Sequence, residues 1–229
     1  MTIRAAGFLT ATLLLGALLA TACDANASVR HEEIAQCRPG EMASWGDGRD
    51  RAAVSSPMVL VYDHRAAPAW FTDDEVFAAV QRAAQAWTRC GVPAHVVRSS
   101  DTASLPPGAV SIRWSDTDAA GNFGLAHFGM RWLVLGPAAF QLLRVRNPAH
   151  DARETLQMVI SHEMGHLFGL MSHSRRCVDV TSSYDNGKGE KCRARDPAEL
   201  TRFTEYRSAM PTACDIQRCR AANGRPSTP

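Results

Sequence analysis

Charge of one sign is what this chain has least of. Its 25 Lys and Arg stand against 23 Asp and Glu in 229 residues, a formal net charge of +2. Such a balance supplies neither the basic field that holds nucleic acid nor a cationic face for membranes. The chain also has no C-x-x-C pair, which argues against a cysteine-built zinc site. Internal repeats and low-complexity tracts are absent as well. What remains is ordinary soluble composition, 45% apolar and 21% charged. The length suits one domain with a real core and a small appendage.

The one long uncharged apolar stretch lies at the N-terminus, from Ala5 to Ala22 behind Arg4. It has the n-region and h-region of an export signal, and it is nearly long enough to span a bilayer. Two processing patterns follow it. Ala25-Asn26-Ala27 is a small-x-small cleavage site that makes residues 1–27 a signal peptide. Ala20-Thr21-Ala22-Cys23 resembles a lipoprotein box, with Ala20 where Leu is usual, so a lipid anchor at Cys23 is the one route to a membrane. Either route takes the mature chain out of a bacterial cytosol, to the periplasm, the envelope or the medium.

Cysteine counting agrees. Of Cys23, Cys37, Cys90, Cys177, Cys192, Cys214 and Cys219, processing removes the first from pairing and leaves six, suited to three disulfides. Cys177 with Cys192 is the expected pair across a Gly- and Ser-containing loop. Cys214 and Cys219 point apart on a helix and cannot pair with each other there.

Residues 28–56 are polar, with Gly and Pro and no sustained period, and predict an irregular leader. The main folded domain is expected over 57–223 and a frayed tail over 224–229. Met58 to Tyr62 is a β-branched apolar run, hence a buried strand. Thr72-x-x-Glu75 is a capping box opening a helix with Val76, Phe77, Val80, Ala84 and Trp87 on one side, ending at Gly91. Ala94 to Arg98 and Ala109 to Trp114 are further strands. Phe123 to Phe128 and Arg131 to Leu135 form an antiparallel pair joined near Gly129. Asp151-x-x-Glu154 opens a second long helix through Leu156, Val159, Ile160 and Leu167. That order predicts an α/β (α+β) domain with a twisted mixed sheet of about five strands.

The second helix carries His162-Glu163-Met164-Gly165-His166. Histidines four apart share a helix face, with Cβ atoms about 5–6 Å apart, so both imidazoles can bind one zinc at about 2.1 Å. Glu163 lies about 100° round the helix from His162, where it reaches a water on the metal rather than the metal itself. It can deprotonate that water for attack on a polarised carbonyl. Gly169, three residues after His166, can adopt a left-handed conformation and end the helix sharply. Two histidines on a helix with no metal are the plain alternative.

With these residues the sequence resembles the metzincin clan of zinc metallopeptidases, and within it the matrixin-like proteases. The clan signature is H-E-x-x-H-x-x-G-x-x-H followed by a Met-turn. His162, Glu163, His166 and Gly169 fall on it; Ser172 occupies the third histidine's position and His173 comes one residue late. In a continued helix His173 would lie about 16 Å along the axis from His162. It is the third ligand only if the chain breaks at Gly169 and a bulge absorbs the extra residue. A downstream carboxylate, Glu199 or Glu205, is the alternative, as is a surface histidine without a role. Ser208-Ala209-Met210-Pro211 resembles the Met-turn, whose methionine floors the site without binding metal. Thr212-x-x-Asp215 then opens a short final helix.

The resemblance extends from about Met58 to Ala222. It implies a metzincin-like fold, one catalytic Zn²⁺, an extended protein or peptide substrate paired to the Gly124–Phe128 edge strand, and a monomer. Glu163 would be the general base, His162, His166 and His173 the ligands, with Gly169 and Met210 structural. No His-x-Asp element precedes His127, so His127 is a strand histidine and no second metal is expected. The family's tyrosine after the Met-turn is also missing, and neither Tyr184 nor Tyr206 is given its role. Arg89-Cys90-Gly91-Val92-Pro93 matches the matrixin cysteine switch but follows a strand and helix of the domain, so a helix end with a disulfide cysteine is the reading. Asp185 to Glu190 holds oxygen ligands and glycines without calcium-loop spacing; calcium is unsupported and a turn is expected. Two other functions remain compatible: an inert zinc-binding module, and a zinc hydrolase of non-peptide substrates.

Overall fold

The computed structural model describes residues 28–98 and 105–225. The expected signal segment and lipobox, and residues 226–229 of the tail, lie outside the described residues. Gly224 and Arg225 close the last helix, Arg225 N donating to Arg220 O at 2.9 Å.

The architecture is mixed α/β around a five-stranded sheet. Its strands are β1 (Met58–Tyr62), β2 (Ala94–Arg98), β3 (Val110–Trp114), β4 (Gly124–His127) and β5 (Trp132–Leu135). They lie in the order β2-β1-β3-β5-β4. The first four positions pair in parallel, and β4 runs antiparallel to β5, Ala126 facing Leu133. Among the described residues β4 is therefore an edge. β1 is apolar almost throughout because helices cover the sheet: Met58, Leu60 and Tyr62 are buried.

Two helices anchor the core. The first, α2 (Asp73–Trp87), starts with the Thr72–Glu75 capping box, both halves formed. It packs on α5 (Ala152–Leu167) and ends through a 3₁₀ turn at Gly91, φ +91°. The second expected box does not form: Asp151 caps the helix by accepting from Arg153 N at 2.9 Å, not from Glu154 N, and Glu154 does not reciprocate. Trp87, fully buried, joins the helices. Its indole N–H donates to Ser161 O at 2.9 Å, and its ring stacks on Phe168. Gly165, inside the histidine motif, makes room for this; a Cβ there would stand 2.8 Å from the Trp87 ring.

Three helices were not expected. The first turns of the leader form α1 (Val29–Ala35), capped by Ser28, so residues 28–56 are not irregular throughout. A single-turn α3 (Asp116–Ala119) follows β3. The third, α4 (Pro137–Arg146), begins at Gly136 without a side-chain cap and buries only Phe140, leaving Leu142 and Val145 exposed. With neither cap nor apolar stripe, it had no periodic signal to read.

From Leu170 to Thr212 the chain is largely loop, closed at its end by α6 (Ala213–Ala222) with the expected Thr212–Asp215 capping box. Its core is small: Cys177, Val178 and Tyr206. Side chains from α1 complete it. Glu33 accepts from the Tyr206 hydroxyl at 2.7 Å and from Arg195 N at 2.8 Å. Disulfides hold the rest: Cys177–Cys192 as expected, with Cys37–Cys214 and Cys90–Cys219. Three disulfides are the mark of an exported protein. No helix among the described residues is long and apolar enough to cross a membrane.

Candidate metal centre

His162 and His166 share the inward face of α5, ring centroids 5.1 Å apart. The helix then stops. Gly169 takes φ +106°, its N–H donating to His166 O and that of Leu170 to Gly165 O, each at 3.0 Å. Glycine is required twice over, since a Cβ at 169 would also stand 2.0 Å from Arg51 O. The reversal brings His173 back, its ring 5.2 Å from His162 and 5.1 Å from His166. One nitrogen of each ring lies within 4.8 Å of the others.

Each ring turns its other nitrogen outward. Nδ1 of His162 lies 2.7 Å from Val180 O, that of His166 2.6 Å from Leu170 O, and that of His173 2.6 Å from Asp47 Oδ2. A carbonyl only accepts, so Nδ1 carries the proton in the first two rings and a lone pair is left on Nε2. Burial, reinforced by His166 and His173, holds His162 well below its usual range. Burial likewise lowers His173, against the pull of Asp47. Neutral rings are what metal ligation needs.

The extra residue is accommodated as a bulge. Ser172 is buried and turns away from the centre, donating to Asp47 Oδ1 at 2.8 Å and accepting from Gly46 N at 2.9 Å. Its carbonyl accepts from Arg218 at 2.7 Å. The two alternative ligands are engaged elsewhere: Glu199 with Arg30 N at 2.9 Å, Glu205 with Arg207 at 2.7 Å.

No protein-family model matches the chain, and no curated protein matches it. A solved structure described as the GM1 bound form of the ECX AB5 holotoxin contains a chain of similar outline. It is 17% identical, with a TM-score of 0.47, over 82% of this chain and 92% of that one.

Glu163 stands beside the three rings. Its Oε2 accepts from Ala126 N of β4 at 2.8 Å, and Oε1 has no hydrogen-bond partner among the described residues. Burial raises its pKa, opposed by His166, the Ala126 N–H and Arg207. Gly124 permits this approach of strand and helix, because a Cβ there would meet Glu163 Cγ at 2.9 Å and Val159 at 2.5 Å. Since β5 takes one side of β4, the N–H that Ala126 gives to Glu163 faces the open edge. Met210 lies against α5, its sulfur 3.7 Å from Ser161 Oγ. A cavity of about 360 Å³ opens one helical turn before His162, its lining including Met158, Ala209, Phe203 and Ile34.

Other sequence candidates lie apart. His127 accepts from Met130 N at 3.0 Å and packs on Trp132. Cys90 is in a disulfide and offers no thiol. The Asp185 loop is a turn closed by Lys191, 3.0 Å from Asp185. Asp47, Val180 O and Leu170 O were not read from sequence as parts of the site. Backbone carbonyls carry no sequence signal, and Asp47 lies in a polar stretch without a period.

Proposed function

We propose that this protein is an exported zinc-dependent metalloendopeptidase of the metzincin, matrixin-like type. One observation carries the reading: three imidazoles converge with every Nδ1 bonded outward, beside a half-buried glutamate. The donor set fits zinc: three ring nitrogens within 4.8 Å of one another and no thiolate among them. Zinc held by His162, His166 and His173 would supply Lewis acidity, polarising the scissile carbonyl and acidifying water.

The chain's own residues supply the rest. Glu163 Oε1 takes a proton from the attacking water and returns it to the leaving amine. Burial favours this by bringing the carboxylate's pKa toward that task. Oε2, fixed by Ala126 N–H, keeps the carboxylate at the open edge of β4. An extended peptide can add to that edge by backbone pairing, with a side chain entering the cavity beside Met158. This favours a peptide substrate over a small ester.

The test uses purified, oxidised protein: zinc content and casein cleavage for wild type and Glu163→Gln. Wild type should bind one zinc and cleave casein in a chelator-sensitive way. Glu163→Gln should keep the zinc and lose about 10²–10⁴-fold in rate. Zinc without cleavage by wild type would leave an inert module; cleavage confined to non-peptide esters or amides would mean a different hydrolase.

A further inference from the structure

The three rings are not oriented alike. His166 is held by Leu170, four residues on, and His162 by Val180, both through backbone carbonyls of the loop that the helix runs into. His173 alone is held by a side chain, and that side chain lies 126 residues away. Asp47 makes three bonds to two consecutive residues. Oδ2 faces His173 Nδ1 at 2.6 Å, while Oδ1 accepts from His173 N at 2.9 Å and from Ser172 Oγ at 2.8 Å.

The leader is built to deliver this carboxylate. It runs antiparallel along the loop, Val54 N donating to Leu167 O, Arg51 N to Gly169 O, Trp45 N to His173 O, and Arg175 N to Ala43 O, at 2.9–3.0 Å. Gly48 lets it lie flat, since a Cβ there would meet Met171 O at 2.3 Å. Asp50 joins Arg218 at 2.8 Å, and the Cys37–Cys214 disulfide fastens the upstream end.

We propose that Asp47 is the positioning residue of the third ligand: its carboxylate holds the Ser172 bulge open and turns His173 Nε2 toward the other two rings. The inference rests on the zinc-site reading above. A late third histidine has no helical framework to aim it, so orientation must come from a tertiary contact. A carboxylate does this while making the ring a stronger base toward metal, and loss of such a partner commonly weakens a site by about 10–100-fold.

The experiment measures zinc affinity by competition with a chromophoric chelator, for purified, oxidised wild type, Asp47→Ala, Asp47→Asn and Ser172→Ala. Asp47→Ala should bind about 10–100-fold more weakly. Asp47→Asn, which keeps one acceptor oxygen, should fall between it and wild type. Ser172→Ala, which spares the ring contact, should lose less than about threefold if ring orientation dominates. In nitrogen-edited NMR of the metal-free wild type, His173 should show an Nδ1-bound proton that Asp47→Ala loses. This readout does not need zinc, and melting curves of the metal-free chains separate it from misfolding. Asp47→Ala within twofold of wild type, Ser172→Ala as damaging as Asp47→Ala, or a His173 protonated on Nε2 alone would overturn the role of Asp47. Wild type that takes up no zinc would overturn the centre itself.

Discussion

His162 and His166 belong to a region held by a large core, and His173 to one held by polar contacts and disulfides. On the helical side, α5 is fixed against α2 by Trp87, Phe168 and Ile160, all fully buried. On the loop side only a few apolar side chains pack. Order there comes from Asp47, from the Arg218–Asp50 pair, and from a buried network in which Asp179 meets Arg176, Ser174 and Thr212 at 2.6–2.8 Å. A helix face places two of the proposed ligands through local geometry. The third must be fetched by a reversal, and each contact that makes it is specific and easily lost. Stability and metal affinity should therefore separate between the two regions.

The largest stability effect should come from the helical side. Trp87→Ala removes the ring between α2 and α5 and should cost about 3–5 kcal/mol, read by urea unfolding of the metal-free protein. Gly169→Ala acts on the reversal. Left-handed strain should cost about 1–3 kcal/mol, with the approach to Arg51 O adding to it, yet the loss of zinc affinity should exceed that of Trp87→Ala. Should Gly169→Ala unfold the chain as thoroughly as Trp87→Ala, the two regions would be one cooperative unit and the contrast would fail.

A gentler probe of the loop side is pH. Burial, with the negative charge of Asp215 beside it, pushes Asp179 up to about 7 against the pull of Arg176. The folded chain then keeps a proton that the unfolded chain releases near 3.8. Stability from this group is present below that value and is lost as pH rises through about 7. The melting temperature of metal-free wild type should therefore fall more steeply between pH 5 and 8 than that of Asp179→Asn. Parallel slopes would remove Asp179 from the account. The smallest effect belongs to Lys191→Ala. Its exposed pair with Asp185 closes a turn away from the centre, so melting temperature and zinc affinity should both stay at the wild-type value. Added calcium should not raise the melting temperature.

Much of this contrast was already legible in the residues. All five strands were expected within a residue or two of where they lie, because short β-branched runs between turn residues have few other solutions. The Thr72 box marked α2, and Cys177–Cys192 followed from a short loop. The α4 helix escaped because Gly136 offers no cap and Leu142 and Val145 face solvent. The Asp151 box did not form, leaving a plain cap on Arg153 N, because a capping pattern states an opportunity, not a bond.

By itself the sequence determined the local terms: a four-residue spacing that puts His162 and His166 on one face, a glycine able to end the helix, strands that must be buried. Those depend on backbone geometry within a turn or two. Whether His173 would return, which way Ser172 would point, and that Asp47 would meet them both were decided only by tertiary structure. Contacts between residues far apart in the chain depend on how whole elements pack, and no local spacing records that.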